Sequence, residues 1–285
     1  MILDESDYDH LDRYIGYAIE SNVKVFNLCV LSSCCYKLPE RVLTAKSITE
    51  LRLDSCEVDS FCSGINLSSL KKLSLNRVRM EDQFIQTLIA GCPVVEDLSF
   101  DDCRGLKSIQ VSGLPKLMTL KMIDNNLERV EMQESNLQSL YFFQFNTCQI
   151  NLASSENLKK LEFERAPTVT DKWLHEVLLK HPQIEILDLK KCNMLERVYI
   201  SSHRLKTLNL LECKNLVEVN IDTPNLHIFG YEGDFISFSL NAMALSEANL
   251  NVGGGSSYPL EMIAFLAKLS HPKLLKWTTS FIQVF

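Results

Sequence analysis

Apolar residues recur along the chain in triplets, in which the second residue follows the first by three positions and the third follows the second by two. We call the middle residue of each triplet its anchor, and successive anchors lie 20 to 26 residues apart. The nine anchors are Leu51, Leu73, Leu98, Leu120, Leu140, Leu161, Leu187, Leu208 and Phe229. All 27 positions of these triplets are apolar or aromatic, and Val23, Phe26 and Leu28 fit as a tenth unit. Self-similarity at this period predicts an array of repeats, each too small to bury its apolar side alone.

The alternation around each anchor predicts one short strand per unit, with neighbouring strands paired in parallel. Five positions after the anchor, the residue is often Cys or Asn. These residues are Cys56, Cys103, Asn125, Cys192 and Cys213. The leucine-rich-repeat formula has Asn or Cys at this position, where the chain turns away from the sheet. The sequence therefore predicts an α/β leucine-rich-repeat solenoid: a curved parallel sheet with mixed short and helix-containing repeats of the cysteine type.

The turn position also predicts what its side chains do. A residue inside the turn must be small and apolar or must bond neighbouring backbone groups, so we expect the four cysteines there to be buried and structural. Phe145 departs most from this requirement, and we expect the turn of its unit to be distorted.

Two units are longer than the others, and each contains apolar residues at helical spacing. The segments 80–93 and 169–182 are predicted helices that end near a proline. Their apolar stripes are Phe84, Ile85, Leu88 and Ile89 in the first and Trp173, Leu174, Val177 and Leu178 in the second. Units of 20 to 22 residues are too short for such a helix, so we expect them to cross the convex side in loops or single turns.

The ends of the chain differ from the repeats, as the exposed ends of a solenoid require. We expect residues 1–22 to contain an N-terminal capping helix and residues 23–252 to form a solenoid of about ten units. Residues 253–285 are predicted to be a C-terminal cap, with a helix at 259–269 and a final strand within 274–284.

Composition and charge narrow the possible partners. The chain has 285 residues, 46% of them hydrophobic, and a net charge of −7. No run of Lys and Arg is longer than two residues, so we expect no nucleic-acid partner. The N-terminus lacks the apolar stretch of a secretory signal, and no apolar run is long enough for a membrane span. Ten cysteines in such a chain favour the reducing cytoplasm or nucleus.

No pattern in the sequence favours catalysis or a bound cofactor. The chain has no Cys-x-x-Cys pair, no Gly-x-Ser-x-Gly and no His-Glu-x-x-His, and its six histidines are scattered. The segment 251–259 is rich in glycine but lacks the Gly-Lys-Ser/Thr of a phosphate loop. We therefore expect a non-enzymatic protein without cofactor or metal.

Several segments resemble the plant F-box/LRR-repeat proteins, including their FBD-associated, RNI-like relatives. A helical unit runs into Gly91-Cys92-Pro93 and then into a strand with Glu96, Leu98 and Phe100, as in that family. The segment 11–28 also looks like the segment that precedes the family's first repeat, and 36–53 looks like its second repeat. The resemblance covers about residues 11–280.

This resemblance implies the substrate-recognition part of an SCF-type ubiquitin ligase, in which an F-box docks on the Skp-cullin core and the repeats hold the target. Only the repeat region is recognisable here. Residues 38–43, Leu-Pro-Glu-Arg-Val-Leu, look like the opening of an F-box, but a repeat strand follows at once. We therefore expect Skp-cullin binding only if an F-box lies upstream.

Side chains adjacent to the anchors are expected to face the concave side, because strand residues alternate. This face is mostly polar but carries Ile123, Tyr141 and Phe143 on adjacent central strands, next to acidic residues. An apolar cluster ringed by charge is typical of a protein interface. The predicted partner-binding residues are Ile123, Tyr141, Phe143, Asp97, Asp101, Lys121, Glu162 and Asp188. The alternative is that the segment 140–145 bends inward or pairs locally.

Two other functions stay open. The chain could be a stand-alone leucine-rich-repeat scaffold, or a small-molecule-sensing receptor of the same class without ligase docking. A small anionic ligand would need a basic pocket, whereas acids separate the basic residues of this face. Those basic residues are Arg52, Lys72, Lys121, Lys160 and Lys190.

Overall fold

The structure is a computed structural model that describes residues 8–31, 36–59, 64–133, 136–253, 269 and 272–280. The chain forms two compact units, Met1–Glu156 (unit 1) and Asn157–Phe285 (unit 2). No described helix has both the length and the apolar character needed to cross a membrane.

Unit 1 contains three helices and eleven strands within the described residues. They are α1 (Tyr8–Glu20), β1 (Val25–Cys29), β2 (Tyr36–Lys37), α2 (Glu40–Leu43), β3 (Glu50–Asp54), β4 (Cys56–Glu57), β5 (Lys72–Asn76), α3 (Asp82–Ala90), β6 (Asp97–Asp101), β7 (Ser108–Val111), β8 (Thr119–Ile123), β9 (Arg129–Met132), β10 (Ser139–Phe143) and β11 (Gln149–Asn151). Six strands form its main parallel sheet in the order β1-β3-β5-β6-β8-β10. Strands β7, β9 and β11 form a second, back sheet, and β2 pairs with β4.

Unit 2 follows the same plan, with one helix and nine strands in its described part. They are β12 (Lys160–Glu164), α4 (Asp171–Lys180), β13 (Ile186–Lys190), β14 (Arg197–Ser201), β15 (Thr207–Leu211), β16 (Glu218–Asp222), β17 (Ile228–Asp234), β18 (Ser237–Asn241), β19 (Glu247–Gly253) and β20 (Leu274–Ser280). Its main sheet has the order β12-β13-β15-β17-β19-β20, and β14, β16 and β18 form its back sheet.

The predicted triplets form the core of both units. All 27 side chains are at most 3% exposed. The anchors are register partners within each main sheet, so that Leu98 pairs with Leu73 and Leu120, and Leu208 pairs with Leu187 and Phe229. The α/β leucine-rich-repeat solenoid is therefore confirmed, because each repeat buries its apolar side against the next one.

The turns after seven of the main strands use a left-handed backbone residue four positions after the anchor. These residues are Ser55, Arg77, Asp102, Asp124, Arg165, Lys191 and Glu212, with φ between 46° and 58°. Each one donates its N–H to a carbonyl oxygen at or near the end of the next strand, as Asp102 N does to Ile123 O at 2.9 Å. The chain thereby leaves the sheet without losing a backbone hydrogen bond.

The following residue points inward and joins consecutive repeats. The Sγ atoms of Cys103, Cys192 and Cys213 lie 3.4, 3.6 and 3.6 Å from carbonyl oxygens of the preceding repeat. Asn125 does the same through Nδ2, which donates to Phe100 O at 3.0 Å. The prediction that the cysteines of this turn are buried is confirmed, including Cys56.

The unit around β10 has the distorted turn that its Phe145 predicts. Phe145 is 52% exposed, and Gln144, one position earlier, is buried in its place. The Gln144 side chain accepts from Leu127 N and donates to Leu127 O, both at 2.7 Å. A long amide, one position earlier than the usual turn residue, therefore bonds the backbone of the preceding repeat.

The short repeats differ from the prediction, which gave them loops or single turns. Their connecting segments contain the back-sheet strands β7, β9, β11, β14, β16 and β18. The prediction of loops was wrong because equivalent segments of adjacent repeats stack side by side and form hydrogen bonds with each other's backbone groups. A four-residue strand on its own could not satisfy its backbone groups in this way.

The two predicted helices are present as α3 and α4. Phe84, Ile85, Leu88 and Ile89 of α3 are buried, whereas in α4 the buried residues are Leu174 and Val177. Trp173 is half-buried, with its ring 5.0 Å from that of Phe163.

Aspartates at the start of both helices bond to the edge of the next back sheet. Asp82 accepts from Lys107 N at 2.7 Å and Ser108 N at 3.1 Å. Asp171 accepts from Glu196 N and Arg197 N at 2.9 and 3.0 Å. Within the back sheet of unit 1 the corresponding acceptor is a carbonyl, since Lys107 O accepts from Glu128 N at 2.8 Å. In each helical repeat, which has no back strand, the aspartate carboxylate therefore supplies the hydrogen-bond acceptors for the backbone of the next repeat.

The expected caps and their limits remain predictions. α1 buries Ile15, and β20 pairs with β19. An additional repeat precedes β20, with Leu245, Ala248 and Leu250 buried at the triplet positions. The predicted helix at 259–269 lies outside the described residues, apart from Leu269.

Candidate functional site

One side of each main sheet is buried, and the other carries the polar side chains of the strands. Burial alternates along strands such as β6 and β13, with the anchor and the residue two positions later buried. The residues one before, one after and three after the anchor are then directed away from the core. We call the surface that they form the open face, and its three lines across the strands rows −1, +1 and +3.

A groove of about 390 Å³ lies on the open face of unit 1. Residues of β1, β3, β5, β6 and β8 line it, and its charged residues are Glu50, Arg52, Lys72, Asp97 and Lys121. We call it the unit 1 groove. Of the predicted partner-binding residues, Asp97 and Lys121 line it, and the others lie outside.

The charges in the groove are separated by row. In row −1, Lys72 Nζ lies 3.7 Å from Glu50 Oε1, and Lys72 is also the register partner of Asp97. Row +1 carries Arg52 on β3 and Lys121 on β8, both exposed. The opposite charges within row −1 therefore largely neutralise one another, whereas row +1 carries two positive charges.

The predicted apolar cluster lies at the edge of this groove, on β8 and β10. Tyr141 and Phe143 are half-buried on the open face, and Leu140 and Phe142 are buried behind them. Strand β10 therefore keeps the alternation of its neighbours and does not bend inward. Phe143 is the register partner of Ile123, and its ring is 5.3 Å from the ring of Phe145.

Charged residues surround this cluster. Lys121 Nζ lies 5.2 Å from the centroid of the Tyr141 ring, a cation–π distance. Asp101 is the register partner of Ile123 on β6, and burial raises the pKa of its carboxyl while Lys121 lowers it. The structure therefore brings Ile123, Tyr141, Phe143, Lys121 and Asp101 together within unit 1.

Not every acid of row +3 is available to a partner. Asp54 lies in row +3 on β3 and is held by Arg77, with an Nη2–Oδ1 distance of 2.7 Å. Hydrogen bonds from Ser55 and Arg77 outweigh the effect of burial and lower the pKa of the Asp54 carboxyl. Asp54 thus belongs to the turn of its own repeat.

The remaining predicted residues, Glu162 and Asp188, are register partners on the open face of unit 2. Lys160 Nζ lies 2.9 Å from Glu162 Oε2, and the Asn209 amide donates to Asp188 Oδ1. Burial raises the pKa of the Asp188 carboxyl, and the neighbouring Glu162 raises it further. Glu162 and Asp188 therefore present negative charge, which Lys160 partly neutralises on the side of Glu162.

The buried thiols of the turns have low reactivity. Burial raises the pKa of Cys103 and Cys192 to about 12 and that of Cys213 to about 11. A thiol must be deprotonated to act as a nucleophile or a metal ligand, so these side chains are poor candidates for either role. Across the described ranges, no group of His, Cys, Asp and Glu side chains is placed to hold a metal ion.

The apolar pattern of the sequence contained little or no indication of three features of the structure. Gln144 replaces the turn residue of its repeat, and Asp82 and Asp171 replace back-sheet strands. The equivalence of the two aspartates is visible once the two helical units are aligned on their anchors, since each lies 16 residues before one. Ala248 was missed because its side chain is small and it lies 19 residues after Phe229, outside the range of the other spacings.

Parallel strands in register, a turn ladder of Cys and Asn, and a polar open face define this chain as a leucine-rich-repeat protein. The model of one family, described as the At1g61320/AtMIF1 LRR domain, matches residues 1–170 and 165–268. The chain therefore belongs to that family of plant-type leucine-rich-repeat domains.

Individual relatives carry F-box names and are longer than the matched region. F-box/LRR-repeat protein At3g03360 of Arabidopsis thaliana is 27% identical over 214 residues, which are 72% of this chain and 44% of the relative. F-box/LRR-repeat protein 25 from the same plant is 29% identical over 129 residues, covering 45% of this chain and 50% of that protein. F-box/LRR-repeat protein At1g55660 is 32% identical, with coverages of 46% and 43%. The chain thus spans half or less of the length of these relatives.

Two solved structures are similar at a low level. The functional domain of InlJ from Listeria monocytogenes, which includes a cysteine ladder, is 12% identical with a TM-score of 0.30, and the match covers 80% of this chain and 62% of that one. The plant peptide hormone receptor RGFR1 in complex with RGF2 is 9% identical with a TM-score of 0.23, with coverages of 98% and 77%.

Proposed function

We propose that this chain is the substrate-recognition part of an SCF-type ubiquitin ligase of the F-box/LRR class. In this role the open face holds a target protein, and an F-box in the complete gene product docks on the Skp-cullin core for ubiquitin-dependent degradation. The family membership and the names of the relatives support the proposal. Buried free thiols such as Cys103 and Cys192 fit a reducing compartment, so we propose the cytoplasm or nucleus as its location.

The observation that carries the binding role is the apolar cluster of Ile123, Tyr141 and Phe143 on the open face. Half-buried aromatic residues of a rigid sheet lose little side-chain entropy when a partner covers them, and such residues often supply most of the binding energy. Lys121 and Asp101 border the cluster and offer both signs of charge to polar groups of the target.

Acidic residues of the open face extend the proposed contact. Asp97 lines the unit 1 groove, and Glu162 and Asp188 form the acidic pair of unit 2. We propose that they receive basic side chains of the target, which would explain why acids lie between the lysines of this face. Charge pairs of this kind contribute more to specificity and association rate than to affinity.

The ligase role is tested with the tagged product of the complete gene. We expect Skp and cullin subunits to copurify with it and not with the 285-residue chain expressed alone. Absence of the core from the complete gene product would refute the ligase role and leave a stand-alone scaffold.

The binding face is tested separately with the double variant Tyr141→Ala/Phe143→Ala. We expect it to lose roughly tenfold or more of its affinity for a target captured by the parent, with little change in melting temperature. The matched control is Tyr14→Ala/Tyr17→Ala, which removes two aromatic residues of α1 that are each 68% exposed. Unchanged capture by the Tyr141/Phe143 variant would exclude the apolar cluster as the interface.

A further inference from the structure

The first strand of the main sheet of unit 1, β1, has an edge that no described strand covers. Lys24 O accepts from the first residue of β3 at 3.1 Å, and Val30 N donates to the last residue of β3, also at 3.1 Å. Because backbone groups alternate in direction along a strand, the N–H and C=O groups of Val25, Asn27 and Cys29 point away from β3. Within the described part of the chain these groups have no backbone partner.

The side chains of this edge do not protect it from another strand. Natural edge strands are commonly blocked by a charged side chain, a proline or a bulge. Strand β1, Val-Phe-Asn-Leu-Cys, contains no charge and no proline, and its register with β3 is uninterrupted. Phe26 and Leu28 are each 8% exposed, whereas the triplet side chains of the nine following repeats are at most 3% exposed. The edge therefore retains both hydrogen-bonding groups and apolar surface for a partner.

Helix α1, which leads into this strand, also exposes apolar side chains. It packs on α2 through Gly16, where an added Cβ would lie 2.7 Å from Arg41 Nη1. Tyr14 lies two residues earlier, about 200° around the helix, and therefore faces away from α2. It is 68% exposed, and the half-buried Leu11 and Ala18 lie on the same side of the helix. The terminal repeat of a solenoid usually has a polar outer face, so this apolar stripe fits a covered surface better than a free end.

We propose that β1 pairs antiparallel with β1 of a second copy of this chain and so joins two copies into a twofold-symmetric dimer. The edge is complementary to itself when the twofold axis passes through Asn27. In that register Asn27 exchanges two hydrogen bonds with Asn27 of the second copy, and Val25 exchanges two with Cys29 of the second copy. All the outward N–H and C=O groups then have partners. The dimer goes beyond the proposed function and does not depend on it.

The side chains fit the same register. On the buried side of the sheet, Phe26 lies opposite Leu28 of the second copy, so that two partly exposed apolar groups cover each other. On the open face Val25 lies opposite Cys29, and the two Asn27 amides face each other, so no like charges meet. A shift by one residue would place the outward groups of one strand opposite groups that already bond to β3. This self-complementarity favours a second copy, because an isologous interface places the same surface on both partners.

The dimer is tested by measuring molar mass in solution over a range of concentrations, for the 285-residue chain and for the complete gene product. Asn27→Lys and Asn27→Glu each place two like charges opposite each other at the axis, and each should raise the dissociation constant of the dimer by about tenfold or more. An equimolar mixture of the two variants should restore the dimer, since opposite charges then meet. Asn27 is exposed, so neither change should perturb the folded chain. The matched control is Gln110→Lys, an exposed change on β7 that should leave the dimer unchanged.

Disulfide formation tests the register. In the proposed pairing the Cα atoms of position 25 in one copy and position 29 in the other are about 5.5 Å apart, a distance that a disulfide spans. Val25→Cys should therefore form a covalent dimer with the native Cys29 under mild oxidation, and mass spectrometry identifies the bond. Val25→Cys/Cys29→Ser should not form it and serves as the control. The two native Cys29 residues are about 13 Å apart along the paired strands, so the parent should not form a disulfide between them.

A parent chain that remains a monomer at the highest concentration reached overturns the proposal. A dimer that tolerates both charges at Asn27, or whose Val25→Cys variant does not cross-link, also overturns it, because the copies then associate through another surface. Slow amide hydrogen exchange at Val25, Asn27 and Cys29 in a complete gene product that is a monomer would show that another segment of that product covers the edge, and would exclude the second copy. Loss of the dimer in both charge variants, its return in their mixture and the cross-link between positions 25 and 29 are the results that we expect.

Discussion

At the residue scale, the side chain of one buried asparagine makes two hydrogen bonds to the backbone of the preceding repeat. Asn125 is 3% exposed, accepts a hydrogen bond from Cys103 N at 2.9 Å and donates one to Phe100 O at 3.0 Å. Both partners belong to the preceding repeat, so this side chain ties two repeats of unit 1 together. The cysteines at the equivalent position reach the preceding repeat with a weaker sulfur donor.

Replacing Asn125 with alanine should therefore cost more than an ordinary surface change. The substitution leaves a buried N–H and a buried carbonyl without partners, at a cost of about 1–3 kcal/mol for each group that finds no water. Urea denaturation measures the loss, with Gln110→Ala, an exposed change on β7, as the control. Equal stability of the two variants would mean that the amide does not hold the repeats together.

The buried thiols predict a loss of stability at high pH. In the unfolded chain a thiol titrates near 9, whereas in the folded chain the pKa of Cys192 is about 12. Because the folded state retains the proton that the unfolded state releases, unfolding becomes more favourable as the pH rises above 9. Each such thiol contributes a fall of up to about 1.4 kcal/mol per pH unit, and below pH 8 it contributes none.

This dependence is measured by denaturation between pH 7 and 11, for the parent and for Cys192→Ala. The variant should have a shallower decline above pH 9, because one titrating group is missing. A decline of the same slope in both proteins would assign the loss to other groups.

At the element scale, the two helices are connected to the repeats that follow them by a carboxylate rather than by a strand. Asp82 and Asp171 start α3 and α4, and each accepts two backbone N–H groups of the next back-sheet strand. A repeat can thus exchange its back strand for a helix without leaving the edge of the next back sheet unpaired. The same arrangement in two places explains how long and short repeats can occur together in one array.

We expect Asp82→Ala to destabilise the edge of the back sheet more than the helix itself. The lost acceptor leaves the N–H groups of Lys107 and Ser108 without their partner, at a cost of about 1–3 kcal/mol. Amide hydrogen exchange should show faster exchange at these two positions. The control is Glu81→Ala, since Glu81 is the N-cap of α3 and makes no side-chain capping bond. Similar exchange in both variants would show that Asp82 is not the acceptor that protects this edge.

The element scale also shows what a single sequence can and cannot predict. The triplets were recognisable because burial imposes the same apolar spacing on every repeat, and α3 and α4 because their apolar residues recur at helical spacing. The back strands had no such signal, since four residues such as 108–111 are stabilised by the equivalent segment of the next repeat rather than by their own pattern. Likewise, the row of Arg52, Ser74, Ser99 and Lys121 is contiguous only across strands, although the anchors already give its register.

At the scale of the whole molecule, stability is a sum over neighbouring repeats rather than a property of one core. Each anchor contacts the anchors on either side, as Leu120 does with Leu98 and Leu140 and Leu187 does with Leu161 and Leu208. In such an array the loss of one repeat removes two interfaces. A single polar substitution at an anchor should therefore be far more costly than its own side chain would suggest.

Leu120→Asp and Leu187→Asp test this in unit 1 and unit 2. Both leucines are 0% exposed, so the new carboxylate is buried without a partner, and we expect a loss of several kcal/mol in each variant. The matched controls introduce the same charge at exposed positions, Gln110→Asp in unit 1 and Met243→Asp in unit 2. Hydrogen exchange should locate the first loss of protection in the strands next to the substituted anchor, because those interfaces fail directly. An anchor variant that unfolds within about 1 kcal/mol of the parent would contradict the stacking of repeats as the source of stability, and with it the rigid sheet on which the open face depends.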